Sequence, residues 1–216
     1  MMQKKAISQK PFLAVAAILP MTQVLGPGNR AVVWLQGCLQ NCPHCIAPEW
    51  RELDSRRAHE ISPIELAHRL LANRSVDGLT ISGGEPMLQA EALYLFIRQA
   101  KRINPEINVI CYSGYSFEYL CQFPPSSGVS RLMTELDVLI DGPYIHTLDN
   151  GVGLRGSSNQ RVIHLTNRLL HANLEDAPRQ VEFVIQDGAV LMAGIPPRDV
   201  LEVFAGIESE VVYERA

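Results

Sequence analysis

Apolar residues recur along the chain in short runs that are separated by stretches with helical spacing. Five runs rich in β-branched or other apolar residues predict strands, at residues 31–35, 79–82, 108–112, 138–141 and 162–165. A further apolar run, from Phe12 to Leu19, lies between two prolines and is interpreted as another strand. Strands that alternate with helices are typical of an α/β fold with a largely parallel sheet.

Two of the intervening stretches carry clear helix signals. Ser62, Pro63 and Glu65 supply an N-cap, a proline at the first helical position and the acidic residue of a capping box. Apolar residues follow at helical spacing, and this helix is predicted to end before Asp77. The second helix is predicted over residues 88–103, and its apolar stripe is interpreted as core packing.

The pattern changes after about residue 175. Two apolar runs, at residues 181–185 and 189–192, flank Gln186-Asp187-Gly188 and predict a β-hairpin, and a final helix is predicted near residues 198–207. A chain of 216 residues suits one domain. We therefore expect a single domain over 1–216, with a core at about 20–166 and a C-terminal extension at about 175–216 that carries no chemical motif.

The composition excludes several classes of protein. With 47% hydrophobic and 19% charged residues the chain is globular, and a net charge of −4 argues against a basic face that binds nucleic acid. The apolar run at 12–19 is too short for a membrane span. Lysines precede it, but no small-residue cleavage site follows. We expect no nucleic-acid or membrane partner.

Three cysteines, Cys38, Cys42 and Cys45, form a Cys-x3-Cys-x2-Cys motif. Thiolates are soft ligands that suit iron–sulfur clusters and zinc. Three thiolates on a four-iron cluster leave one iron free to bind a small molecule. Structural zinc usually takes four ligands from two short motifs; His44 or His59 offers a fourth ligand, but the sequence contains no second motif. The spacing favours the cluster, and zinc stays open as the alternative.

The other two cysteines, Cys111 and Cys121, are predicted to be structural. Cys111 lies in an apolar run, where a buried thiol behaves as a small hydrophobic side chain. A framework of disulfides does not fit, because five cysteines leave one unpaired and no secretory signal is present. An oxygen-labile cluster also favours the cytoplasm, where thiols stay reduced.

Four candidate motifs each follow a predicted strand. They are the cysteine loop, Gly83-Gly84-Glu85, Ser113-Gly114-Tyr115 and Gly142-Pro143. In parallel α/β sheets and barrels, ligands bind at the carboxyl ends of the strands. A single glycine turn is weak evidence, since glycines are common in such loops. Four motifs at one edge predict one shared pocket.

These residues resemble the radical S-adenosylmethionine (SAM) superfamily. Cys38, Cys42 and Cys45 match its cluster motif, and Gly83-Gly84-Glu85-Pro86 matches the motif that binds the SAM amine. A narrower resemblance, over about residues 20 to 165, is to the activating proteins of anaerobic ribonucleoside-triphosphate reductase. The segments that carry it are Gly26-Pro27-Gly28-Asn29-Arg30, Gln36-Gly37-Cys38, Ser113-Gly114-Tyr115, Asp141-Gly142-Pro143-Tyr144 and Arg155-Gly156-Ser157-Ser158-Asn159-Gln160.

The resemblance implies a fold and a set of cofactors. The fold is a partial, open parallel βα barrel, followed here by the hairpin and helix. One [4Fe-4S] cluster is held by the three motif cysteines, and SAM is bound by residues of the cysteine loop and the glycine turn: His44, Ile46, Gly83, Gly84 and Glu85. The two glycines are expected to allow close approach to the methionine moiety. Glu85 is expected to accept hydrogen bonds from the ammonium group of SAM. Alternatively, it is an ordinary acidic residue at the start of a helix.

The resemblance also implies a reaction. An electron from flavodoxin or ferredoxin enters the cluster, SAM is cleaved to methionine and a 5′-deoxyadenosyl radical, and the radical removes a hydrogen from a glycine of a glycyl-radical enzyme, here one like anaerobic ribonucleotide reductase. No catalytic residue beyond the cluster and SAM is implied. Asn159 and Arg161 are candidates for contacts with SAM or the partner, or for a structural turn.

Three features depart from the family pattern. His44 stands where many members have an aromatic residue, Glu85 stands where some activases have aspartate, and the chain continues about fifty residues beyond the Gly-Ser-Ser-Asn-Gln segment. Two other functions therefore stay open. One is a radical SAM enzyme that acts on a peptide or small molecule, and the other is a non-enzymatic iron–sulfur or zinc protein.

Overall fold

The structure is a computed structural model that describes residues 11–53, 56, 58–73, 75–186, 189–197 and 200. The strands are β1 (Leu13–Thr22), β2 (Arg30–Leu35), β3 (His59–Ile61), β4 (Gly78–Gly83), β5 (Asn108–Ser113), β6 (Val138–Asp141), β7 (Arg161–His164), β8 (Val181–Gln186) and β9 (Ala189–Gly194). The α-helices are α1 (Pro63–Leu70), α2 (Ala90–Ile103), α3 (Phe117–Gln122) and α4 (Val129–Met133). Short 3-10 turns cover Pro48–Arg51, Pro86–Gln89 and His146–Leu148.

Seven strands form one mixed sheet in the order β3-β1-β2-β4-β5-β6-β7. The four central strands, β2, β4, β5 and β6, run parallel, whereas β1, β3 and β7 are antiparallel to their neighbours. The predicted α/β fold with a mostly parallel central sheet is confirmed. The predicted strand at 162–165 is antiparallel to β6. The chain between them does not return to the amino end of β6, so β7 starts near the carboxyl end of β6 and runs back along it.

One face of the sheet is covered by helices. The Ser62 hydroxyl accepts a hydrogen bond from the Glu65 N–H at 3.2 Å and caps α1. The second helix starts at Ala90, two residues later than predicted, because Glu85 caps a separate 3-10 turn ahead of it. Apolar side chains of both helices and of α4 pack with those of the sheet into the larger core.

The other face of the sheet is covered by the C-terminal part of the chain. Leu169, Leu174 and Ala193 are buried there against strand residues such as Trp34 and Ile140. β8 and β9 pair only with each other among the described residues, so the extension lies on a face of the sheet and adds no strand to its edge. The predicted turn at 187–188 lies outside the described residues, as does the predicted helix at 198–207 except for residue 200.

The motif Gly26–Arg30 lies at the amino ends of the parallel strands. Arg30 is fully buried and donates hydrogen bonds to the Thr80 hydroxyl at 2.6 Å, the Asn108 carbonyl oxygen Oδ1 at 2.6 Å and the Leu79 carbonyl at 2.5 Å. Burial lowers the pKa of its guanidinium to about 10. Arg30 thus joins three strands far from their carboxyl ends. None of the helices in the described part of the chain has the length and apolar character needed to cross a membrane.

Candidate functional site

A cavity of about 500 Å³ lies at the carboxyl ends of the parallel strands. Its walls come from the loops that follow β2, β4, β5 and β6, and from the end of β9. The cavity is of the size that small-molecule and cofactor sites have in proteins. The four motifs that the sequence places after strands therefore do meet at one edge of the sheet.

The thiols of Cys38, Cys42 and Cys45 all line this cavity, are partly buried and form no disulfide. Burial raises the pKa of Cys38 to about 11 and raises that of Cys45. The thiols of Cys38 and Cys45 are therefore protonated before iron binds, and iron binding releases these two protons. Cys111 is buried in the core and Cys121 is exposed on α3, and neither lines the cavity.

The cysteine loop is held in place by backbone and amide hydrogen bonds. The N–H of Gly37 donates to the Trp50 carbonyl at 2.8 Å, and that of Cys38 donates to the Arg51 carbonyl at 3.0 Å. The buried amide of Gln36 donates to the carbonyls of Glu49 at 3.1 Å and Glu52 at 2.9 Å. These bonds tie both ends of the loop together, so the cysteines project from a closed backbone ring.

The donor set fits a cluster. Three thiols from one loop face a cavity that extends beyond them, which leaves space for a fourth ligand of another kind. Among the described residues, no group of three or more His, Cys, Asp or Glu side chains converges closely enough to hold a single metal ion.

The glycine turn is joined to the cysteine loop through its backbone. The N–H of Gly84 donates to the Leu35 carbonyl at 2.7 Å, and the N–H of Glu85 donates to the Gly37 carbonyl at 2.8 Å. A Cβ at Gly83, which has φ +105°, would lie 2.2 Å from the Leu35 nitrogen, and a Cβ at Gly84 would lie 2.2 Å from the Gly37 carbonyl oxygen.

This contact changes the reason for the two glycines. The sequence interpretation assigns their missing side chains to close approach by the methionine moiety. The structure shows instead that the two Cβ directions point into the backbone of β2 and of the cysteine loop, although both residues also line the cavity. Gly83 and Gly84 therefore first allow two pieces of protein backbone to pack together.

Glu85 is a buried carboxylate, with 1% of its surface exposed, on the wall of the cavity. It accepts hydrogen bonds from the Met87 N–H at 2.9 Å, the Ser113 hydroxyl at 3.0 Å and the Gly114 N–H at 2.7 Å. Burial nevertheless raises its pKa to about 7. In the described part of the chain no cationic side chain pairs with it, and a carboxylate has about four acceptor positions.

The ring side chains of His44, Tyr144 and His146 line another part of the cavity. The His44 ring, whose backbone has φ 59°, lies 4.6 Å from the His146 ring at an angle of 34°. The Tyr144 hydroxyl lies 3.2 Å from His146 Nδ1, and Ile46 lines the cavity while 54% exposed. Sequence reasoning did not assign Tyr144 or His146 to the site; the signals were their position after a predicted strand and, for Tyr144, its place in a segment that carries the family resemblance.

The structure separates Asn159 and Arg161 from the cavity. Arg161 forms ion pairs with the buried Asp141 and with Glu118, and the Asn159 amide donates to the Pro143 carbonyl at 2.8 Å. Their structural interpretation is therefore favoured over a contact with SAM. The neighbouring Gln160 lines the cavity instead, and its amide oxygen accepts from the Gly156 N–H at 2.8 Å.

Comparison with known proteins identifies the family. The model of a 4Fe-4S single cluster domain matches residues 24–163. The anaerobic ribonucleoside-triphosphate reductase-activating protein of Enterobacteria phage T4 is 31% identical over 67% of this chain and 90% of its own length. The chain belongs to the radical SAM activase family. Its cofactor is an iron–sulfur cluster, and its family is enzymatic, which leaves the zinc and non-enzymatic alternatives unsupported.

Other members of the activase family are similarly related. The protein of the same name from Vibrio cholerae is 31% identical over 67% of this chain and 93% of its own length. The pyruvate formate-lyase-activating enzyme of Listeria monocytogenes is 33% identical over 40% of this chain and 36% of its own length. A crystal structure of QueE from Escherichia coli covers 49% of this chain and 54% of its own, with 13% identity and a TM-score of 0.41, too low to assign a fold.

Proposed function

We propose that this activase reductively cleaves SAM and installs a glycyl radical on a partner like anaerobic ribonucleotide reductase. The observation that carries this proposal is the meeting of three cluster-type thiols and a buried carboxylate at one cavity of about 500 Å³. The activase relatives, named for a reductase of this kind, support the choice of partner.

Cys38, Cys42 and Cys45 would hold one [4Fe-4S] cluster and leave one iron for SAM. When bound, the cluster and SAM supply the electron transfer and the 5′-deoxyadenosyl radical that abstracts hydrogen from glycine. Trp34 and Trp50 both line the cavity, with ring centroids 5.9 Å apart. Their rings are proposed to shield the cluster from solvent on that side.

Glu85 is proposed to accept a hydrogen bond from the SAM ammonium. Three protein donors hold its carboxylate in place, and one acceptor position remains for the ligand. A cationic ligand also compensates a carboxylate that is buried without a cationic protein partner. His44 and Ile46, on the cysteine loop, are proposed to contact the nucleoside part.

The fold supports this arrangement as a partial barrel. The sheet is open, with β3 and β7 at its edges, and the site lies at the carboxyl ends of its four parallel strands. We propose that residues 20–166 form the radical SAM core of a single domain, and that the extension after about residue 175 belongs to that same domain.

The partner surface is proposed to lie beside the loop between β6 and β7. Ile145 and Leu148 are 38% and 42% exposed there, and neighbouring residues of the loop line the cavity. A flavodoxin or ferredoxin in the cytoplasm is the proposed reductant. A peptide or small-molecule substrate is the second candidate, because the extension also lines the cavity.

The proposal is tested with anaerobically reconstituted protein, SAM, a low-potential reductant and a candidate reductase. We expect close to four irons per chain, release of 5′-deoxyadenosine and an electron paramagnetic resonance signal of a glycyl radical. Cys42→Ala should lose most of its iron, whereas Cys111→Ala should keep it. Absence of SAM cleavage by the wild type would refute the reaction, and cleavage without a glycyl radical would favour the second candidate.

A further inference from the structure

The C-terminal extension supplies one wall of the active-site cavity. Gly194, Ile195 and Pro196 line the cavity together with the cluster cysteines. These three residues lie beyond the 24–163 match to the family model. The T4 and Vibrio relatives match this chain over 148 and 150 residues, which is 90% or more of their own length. The wall is therefore an addition to the part of the chain that the family comparison covers.

A buried ion pair fixes this wall to the rim of the cavity. Arg179 Nη1 lies 2.8 Å from Asp149 Oδ1, and the two side chains are only 1% and 5% exposed. Nη2 of Arg179 also donates to the Arg155 carbonyl at 2.6 Å and the Gly156 carbonyl at 3.2 Å. Asp149 and Gly156 themselves line the cavity. One guanidinium thus joins the extension to the loop between β6 and β7. Its N–H donors lie in one plane and point in different directions, so it can bind several acceptors at once.

Ile195 lies at a boundary between two spaces. It lines the active-site cavity and also a neighbouring cavity of about 390 Å³, which is formed by the extension and by Gly26 and Pro27. Its side chain packs against the smaller core, which includes Trp34 and against which Trp50 also packs. We therefore expect truncation of the Ile195 side chain to enlarge the space on both sides of it.

The apolar character of this wall indicates which part of SAM it faces. The amino acid end of SAM is charged and needs the open iron and the Glu85 carboxylate. The cavity lining includes Ile195, Pro196 and the rings of Trp34 and Trp50, which are apolar groups that suit an uncharged, flat base. The adenine is the only part of SAM with that chemistry.

We propose that Ile195 is an apolar contact of the SAM adenine, and that the Arg179–Asp149 ion pair is the positioning element that holds it there. This inference rests on the proposed function, since it takes SAM as the ligand. The extension then has a role inside the site: it closes the cavity on one side, so that the nucleoside is held between the cysteine loop and the strand β9.

The test compares Ile195→Ala with two matched variants of the full chain. Leu169→Ala truncates a buried residue of the same core that lines neither cavity, and Ile185→Ala truncates a residue of the same hairpin that is 81% exposed. Each protein is reconstituted anaerobically, its iron is counted, and its affinity for SAM is measured by equilibrium dialysis. A second measurement, without SAM, follows the rate at which a soluble chelator removes iron from the cluster.

We expect Ile195→Ala to bind four irons, to lose about tenfold in SAM affinity and to release iron to the chelator faster than wild type. Ile185→Ala should match wild type in both measurements. Leu169→Ala should unfold at a lower temperature with SAM affinity unchanged. Arg179→Lys keeps the positive charge but lacks the several N–H donors of a guanidinium. It should lose part of the SAM affinity although the Ile195 side chain is still present.

Two results separate this inference from the proposed function. If wild type binds SAM and Ile195→Ala matches Leu169→Ala in affinity and in chelator rate, the wall is only structural and this inference is refuted. If wild type with a full cluster binds no SAM, the proposed function is refuted, and the adenine contact with it.

Discussion

Gly84→Ala tests the packing of the glycine turn against the cysteine loop. The new Cβ would lie 2.2 Å from the Gly37 carbonyl oxygen and 2.7 Å from its carbon. Ordinary contacts between such atoms need roughly 3.5 Å, so the two backbones must separate by about 1 Å. Gly37 immediately precedes Cys38, and the shift therefore displaces a cluster ligand.

The energetic cost follows from the contacts that the shift stretches. Overpacking of this kind costs about 1–3 kcal/mol. The bonds from Gly84 N–H to Leu35 and from Glu85 N–H to Gly37 each contribute about 1 kcal/mol net. We expect a loss of about 2–5 kcal/mol in the free energy of unfolding, a large part of the stability of a typical domain.

The assays are urea unfolding of the cluster-free chain and iron per chain after reconstitution. We expect Gly84→Ala to unfold at lower urea and to bind clearly fewer than four irons. Gly151→Ala is the control: a Cβ there meets nothing within 4 Å, and only its φ of 75° costs about 1 kcal/mol. If Gly84→Ala keeps wild-type stability and iron and loses only SAM affinity, the glycine serves the ligand and the packing argument is wrong.

Three further predictions concern charge and the extension. Because the pKa of Glu85 is raised from 4.5 to about 7 in the folded state, the SAM-free, cluster-free protein should lose stability as pH rises from about 4.5 to 7, by on the order of 3 kcal/mol. Urea unfolding of Glu85→Gln across this range should show no such decline. Arg161→Met should lower the free energy of unfolding by about 1–3 kcal/mol, because Asp141 stays buried, but should leave SAM affinity unchanged in dialysis; a loss of affinity would contradict the structural role. Deletion of residues 176–216 should give aggregated protein in size-exclusion chromatography, since Ala193 and the residues around it cover a sheet face; a soluble monomer with an intact cluster would refute this.

Local sequence signals located the elements correctly wherever one residue or one periodic pattern decided the structure. Ser62 capped α1 as predicted, and the strand patterns placed β2, β4, β5 and β6 within a residue or two. The strand β3, from His59 to Ile61, was missed because three residues are too few to carry a pattern. The start of α2 was placed too early because the sequence does not distinguish a 3-10 turn from the helix that it precedes.

The sequence by itself determined the chemistry of this protein: a three-cysteine motif and a glycine turn with a carboxylate, each placed after a strand. Only the tertiary structure decided how these pieces act on each other. The Cβ directions at Gly83 and Gly84 depend on backbone that is more than forty residues away, and the Glu85 carboxylate is held by Ser113 and Gly114, which are 28 and 29 residues away. The pairing of Arg179 with Asp149 and the placement of Ile195 at the cavity depend on a chain fold of the extension, which has no motif of its own. Local residue types set which ligands can bind. Contacts between distant segments set which side chains reach the cavity and which ones hold its walls in place.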